Sequence, residues 1–104
     1  MPEPAIKAPE ACQTMTDVRA GVDAVDEQLV ALLAERFGYM RAAARIKPAR
    51  EAVRDEARKA RVIAAAVAEA EARGIPGPVI ADIWERLVEG SIAYEFAEWD
   101  RIRA

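Results

Sequence analysis

Seven polar side chains in this 104-residue sequence have the type and spacing to do chemistry, and four of them are cations. Arg36 and Lys47 stand eleven residues apart, which on an α-helix leaves them about 20° from one another, on one face. Arg36 lies among Leu32, Leu33, Phe37 and Met40, and a guanidinium set in an apolar stripe needs an anion. That anion is a ligand, or an acid on a neighbouring helix in a structural ion pair. A third arrangement has the side chain snorkelling along the edge of the stripe. Arg19 is seventeen residues from Arg36, about 25 Å along a helix axis and about 100° around it. One small ligand cannot touch both from one helix. Arg19 is therefore a solvated first-turn side chain, or it serves a site from the other chain of an antiparallel dimer.

Ser91 and Glu95 are spaced i, i+4 and share a helix face. Glu95 lies between Tyr94 and Phe96, where desolvation favours the neutral acid, and a neutral carboxylic acid can donate a hydrogen bond. Asp55 and Arg58 are three apart and also share a face; each of these two pairs equally fits a surface polar contact. No phosphate loop, metal cluster or nucleophile-base pair accompanies them. There is no histidine, which removes the commonest general base and metal ligand. The one cysteine, Cys12, cannot form an intramolecular disulfide and has no evident partner base. Cations and neutral donors remain, suited to holding a small anion.

The charge distribution agrees. Between Arg41 and Arg61 eight Lys or Arg face three acids (Glu51, Asp55, Glu56), a net +5 that leaves −8 for the rest of a chain of net charge −3. A local positive field in an acidic protein suits a small anion better than a nucleic acid, whose long phosphate backbone the acidic remainder would repel. No apolar run approaches the roughly 20 residues of a membrane span, and the N-terminus has no signal-peptide core, so the expected location is cytoplasmic.

The elements that must position these groups are helices. Hydrophobic content is 53% but aromatic content only 6%, with much alanine, which favours close-packed helices over a sheet. Residues 1–13 hold three of the six prolines without periodicity and are expected to form a flexible arm ahead of a helical domain over 14–104. Over 16–47, Val18, Val22, Val25, Leu29, Leu32, Leu33, Met40, Ala43 and Ile46 recur at steps of three and four, which predicts one long amphipathic helix. Thr16 is its expected N-cap, with Asp17 in the first turn, and Pro48 ends it. At about 1.5 Å per residue this rod is roughly 48 Å long. A compact domain of this size spans only about 26 Å. The stripe is too long to bury against its own chain, so a partner chain is expected.

A short loop over 48–53 should reverse the chain. A second helix is expected over 54–73, buried through Val62, Ile63, Ala66, Val67 and Ala70, with Gly74 as its terminating residue. Pro78 suits the first position of a third helix, continuing through Ile80, Ile83, Trp84, Leu87, Val88, Ile92, Phe96 and Trp99. The expected fold class is all-α, three helices with a long first one.

Taken together, the pieces MTDVRAGVDAVDEQLVALLAERFGYM, RIK, VRDEAR and EGSIAYE, in that order and spacing, resemble the small all-helical chorismate mutases and the related isochorismate pyruvate lyases over about residues 15–99. The resemblance implies an intertwined, domain-swapped homodimer of three-helix chains, in which each site draws one arginine from the partner. It implies that Arg36 and the partner's Arg19 hold the two carboxylates of a small dianionic substrate. Lys47 would approach the ether oxygen and a carboxylate, and Arg58 would add positive charge. Asp55 matches the acid that accepts the ring hydroxyl, Ser91 a polar position one turn before the residue facing the ether oxygen, and Glu95 that residue itself.

The implied reaction is the Claisen rearrangement of chorismate to prephenate, in aromatic amino-acid biosynthesis. It is unimolecular and needs no cofactor or metal, no base and no nucleophile: the protein holds a reactive conformer and stabilises charge on the departing ether oxygen. Two positions point toward the lyase branch, which eliminates pyruvate from isochorismate to leave salicylate. Lys59 stands one turn after Asp55, where bacterial mutases often place a second acid, and the APEAC segment looks like that of the lyases. Asp55 and VRD look more like a mutase, the favoured reading. From another class, a non-catalytic helical dimerisation module would equally use the long stripe.

Overall fold

The computed structural model describes residues 5–104, and the first four residues of the expected arm lie outside that range. Three α-helices follow one another: α1 (Met15–Ile46), α2 (Glu56–Ala72) and α3 (Gly77–Ile102). Two short 3-10 turns, Pro9–Ala11 and Arg50–Ala52, precede α1 and α2, and there is no strand among the described residues. The all-α, three-helix expectation is met, with the first helix the longest at 32 residues.

The start of α1 corrects the expected cap. Thr14, not Thr16, takes that place: its Oγ1 accepts from the Asp17 backbone N–H at 3.1 Å. The Asp17 carboxylate in turn accepts from the backbone N–H groups of Gln13 and Thr14 at 3.0 and 3.3 Å. Each side chain satisfies donors that the first helical turn leaves open. The Gln13 N–H and then the Lys7 ammonium, 3.1 Å from Asp17, hold the Asp17 carboxyl below the usual carboxylate range. Thr16, the expected N-cap, sits inside the helix, where its own backbone is already helical.

The fold divides into two compact units, one reaching to Arg36 and the other Phe37–Ala104. In the first, the stripe of α1 remains open: Val22 is 52% exposed, Leu29 51% and Leu32 60%. Ile6, Pro9 and Cys12 from the segment before α1, with Val18, Gly21, Val22 and Val25, line an apolar cavity of about 470 Å³.

In the second unit α2 and α3 pack as an antiparallel hairpin around Val53, Val88 and Ile92, all buried, with Val62, Ile63, Trp84, Phe96 and Trp99 against them. Burying such aliphatic side chains contributes about 1.5–3 kcal/mol each. The turn between the helices follows the expected signal. Gly74 adopts φ 73°, the left-handed region that a side chain disfavours. The Gly74 and Ile75 N–H groups then donate to the carbonyls of Glu71 and Ala70 at 3.1 and 3.0 Å, closing α2 with a Schellman motif. α3 starts at Gly77, one residue before Pro78. Two stripe positions depart from the periodic reading: Ile46, 74% exposed in the last turn of α1, and Ile83, 49% exposed on α3.

Candidate functional site

Lys47 and Glu95 meet. The Lys47 ammonium donates to Glu95 Oε2 at 2.7 Å, forty-eight residues away in sequence. Lys47 occupies the position just after α1, its N–H still donating to the Ala43 carbonyl at 2.9 Å, and Pro48 ends the helix there. Glu95 lies on the inner face of α3, where the i, i+4 spacing places it one turn beyond Ser91; both are buried, at 4% and 2% exposure. Ser91 Oγ donates to the Leu87 carbonyl at 2.7 Å. The expected Ser91–Glu95 face is therefore an interior one, and the alternative of a surface contact does not describe it.

The surroundings of Glu95 differ from the expectation in one respect. Its neighbours Tyr94 and Phe96 are indeed partly buried, but a cation stands beside the carboxylate, and Glu95 accepts from it. The pair is not sealed: Lys47 retains 30% side-chain exposure against 5% for Glu95. A wet cation above a dry carboxylate is an arrangement in which an incoming anion can compete for the ammonium.

The backbone around Lys47 is held as well. Trp99 Nε1 donates to the Lys47 carbonyl at 3.0 Å, and Arg103 Nη2 donates to the same oxygen at 2.9 Å. The following turn is tied by Arg50, whose guanidinium meets both Asp100 carboxylate oxygens at 2.9 and 3.2 Å and lies 4.5 Å from the Phe96 ring centroid. That contact holds the Asp100 carboxyl below its usual range. Sequence reasoning missed Arg50 and Arg103, which are indistinguishable in type from solvated surface arginines; it placed Trp99 in the stripe without its indole donor.

Asp55 and Arg58 form a local contact. Asp55 is the N-cap of α2, its Oδ1 accepting from the Arg58 backbone N–H at 3.0 Å, and both residues are exposed. The expected helix start at 54 is thereby corrected: Asp55 ends the loop because its carboxylate satisfies an open donor of the first turn. Lys59 has acids of its own, Glu85 at 2.7 Å and Glu89 at 2.9 Å on α3. Arg54 reaches Glu89 too, and the Arg54 and Lys59 bonds push the Glu89 carboxyl down to about 2. Glu85, then Glu89, raise the Lys59 ammonium above its ordinary value.

On α1, Arg36 is half-buried and Arg19 exposed. Tyr94, between Ser91 and Glu95 in the chain, accepts from Arg41 at 3.0 Å and meets Phe37 edge-on, with ring centroids 5.0 Å apart. Among the described residues the site thus offers a buried carboxylate and an ammonium on a fixed backbone, with no nucleophile beside a base.

Residues 18–96 match the family model for chorismate mutase type II. A Pseudomonas aeruginosa protein named isochorismate pyruvate lyase is 28% identical over 98 residues, covering 94% of this chain and 97% of that relative.

Proposed function

The chain belongs to the chorismate mutase type II family, and we propose on that premise that it rearranges chorismate to prephenate. The observation that carries the reading is the Lys47–Glu95 pair at 2.7 Å, with the carboxylate buried and the ammonium reachable. A unimolecular rearrangement asks for a held conformer and for positive charge or a hydrogen-bond donor where the ether oxygen gains charge. Lys47 supplies the first kind of group. Glu95 sets where that ammonium rests, 2.7 Å from its carboxylate.

Arg36 and, from a second copy of the chain, Arg19 bind the two carboxylates. Asp55 takes the ring hydroxyl, Arg58 adds positive charge from α2, and Ser91 supports the inner face of α3. The assembly is an intertwined homodimer, supported by an α1 face that is half exposed at Val22, Leu29 and Leu32 in the single chain. No helix among the described residues is long and apolar enough to cross a membrane. The reading remains that of a cytoplasmic enzyme acting on a small anion without a cofactor.

The second reading, elimination of pyruvate from isochorismate to give salicylate, is favoured by the name of the Pseudomonas aeruginosa relative. Lys59 supports it in sequence. One assay separates the two: chorismate and isochorismate offered side by side, with prephenate measured in one and salicylate fluorescence in the other. Prephenate formation well above salicylate formation supports the mutase; the reverse order gives the lyase, and no turnover of either removes both. The role of Glu95 has its own test. Glu95→Gln keeps the size of the side chain and can donate a hydrogen bond, so it should retain more activity than Glu95→Ala; equal losses remove this role. Arg19→Ala and Arg36→Ala homodimers should each be nearly inactive, and mixing them should restore activity through one intact site per heterodimer.

A further inference from the structure

We propose that the end of α3 is a positioning clamp for Lys47, in which Trp99 and Arg103 fix its main-chain carbonyl while Arg50 ties down the turn that follows. The inference rests on the proposed role of Lys47 and adds residues that have no part in touching substrate.

A helix leaves its last carbonyls without intrahelical donors. Ala43 receives the Lys47 N–H at 2.9 Å, but beyond it the chain turns away, and Pro48 has no N–H to offer. Arg103 supplies donors from another element: Nη1 to Ala44 O at 3.0 Å, and Nη2 to Lys47 O at 2.9 Å and Arg45 O at 3.4 Å. Its guanidinium also lies 4.1 Å from the Trp99 ring centroid, so the ring fixes the plane of the fork. The cation stands at a helix C-terminus, where the helix dipole favours positive charge. An ammonium could supply the charge but not the planar fork that spans separate carbonyls.

The Trp99 indole adds a second donor to the Lys47 carbonyl, so that oxygen accepts from two α3 side chains at once. Helix capping alone would leave the position after Lys47 free. Here the next turn is also held, because Arg50 is bonded through two nitrogens to Asp100. Trp99, Asp100 and Arg103 are neighbours on α3 and its C-cap, and Glu95 is one turn earlier. One stretch of helix therefore carries both the carboxylate that receives the Lys47 ammonium and the groups that set where the Lys47 backbone lies. The distance between ammonium and carboxylate is fixed from both ends.

The test combines residue-by-residue acylation of lysines by a small amine-reactive ester, read by mass spectrometry, with steady-state kinetics on chorismate. Lys59, paired with Glu85 and Glu89, serves as the internal reference. Arg103→Ala should raise Lys47 acylation severalfold relative to Lys59. It should also lower kcat by about tenfold or more, since a misplacement of about 1 Å can cost up to about a hundredfold. In a Lys47→Ala background the same substitution should lower kcat no further, because its effect passes through Lys47. Trp99→Phe keeps the ring and removes the donor; it should act in the same direction with smaller size, and it decides the matter if Arg103→Ala does not fold. An unchanged Lys47-to-Lys59 acylation ratio in folded variants overturns the clamp, as do equal kcat losses with and without Lys47. If the parent protein turns over neither chorismate nor isochorismate, the functional reading fails, while the acylation ratio still decides the clamp.

Discussion

The two compact units of the chain differ in how far each satisfies its own chemistry. In Phe37–Ala104 the aliphatic side chains Val53, Val88 and Ile92 are buried, and Lys47, Arg50, Arg54 and Lys59 all meet carboxylates. In the unit reaching to Arg36, Val22, Val25, Leu29 and Leu32 are all more than half exposed, although they follow the same helical period. Both stripes have the same sequence signal. Within the described residues, α2 and α3 supply a surface for the one, and the segment around Ile6, Pro9 and Cys12 lines part of the other. A hydrophobic period states that a face will be covered without stating by which chain.

That contrast can be broken at several points. The largest effect should come from Lys47→Ala, which removes the cation beside the buried Glu95 carboxylate; kcat/KM for the favoured substrate should fall by about 10²–10³, as for loss of one charge-stabilising donor, and the melting temperature should fall as well. Ile92→Ala should act through stability alone. It removes a buried side chain between α2 and α3 and should cost about 2–5 kcal/mol in urea unfolding, with activity falling only as the folded fraction falls. Leu29→Glu tests the open unit: a folded protein that changes from dimer to monomer in light scattering fits the proposed assembly, and an unchanged mass contradicts it.

The smallest effect lies in the outer ion pairs. Glu89 has a folded-state value of about 2 against an ordinary 4.5, so its stabilising contribution is present above about pH 4.5 and is lost as pH falls toward 2. Glu89→Gln should therefore reduce the acid sensitivity of unfolding in that window and leave it unchanged near neutrality. A mutant curve parallel to the parent's between pH 5 and about 2 would remove this contribution.

Much of the architecture was legible because it is local. Gly74 followed by Ile75 and Pro76 marks a helix end in any chain, and Pro48 ends a helix whatever surrounds it. The start of α1 was less so, since Thr14 and Thr16 are both competent caps and only the reciprocal bonds with Asp17 choose between them. The face shared by Ser91 and Glu95 could be read from spacing, but not the cation opposite it: Lys47 and Glu95 are brought together by tertiary packing across forty-eight residues. Lys59 shows the same limit. Its type recorded a missing acid, while its actual partners, Glu85 and Glu89, sit on a helix whose register only the packed hairpin fixes. Ile46 and Ile83 fit the period and are exposed all the same, because a period marks a face without marking how far along it a packing surface reaches.

The Schellman closure at Gly74 also bears on the order in which the chain folds. It joins α2 to α3 through a turn of a few residues, so Val62 and Ile63 can find Val88 and Ile92 at a small loss of loop entropy. The bonds from Trp99 and Arg103 to the end of α1 span fifty-two and fifty-six residues to Lys47 and carry a larger one. The hairpin should therefore form first, and pulse-labelled hydrogen exchange should find α2 and α3 amides protected before those in the last turn of α1. The lysine at the centre of the proposed chemistry would be among the last residues to reach its native place.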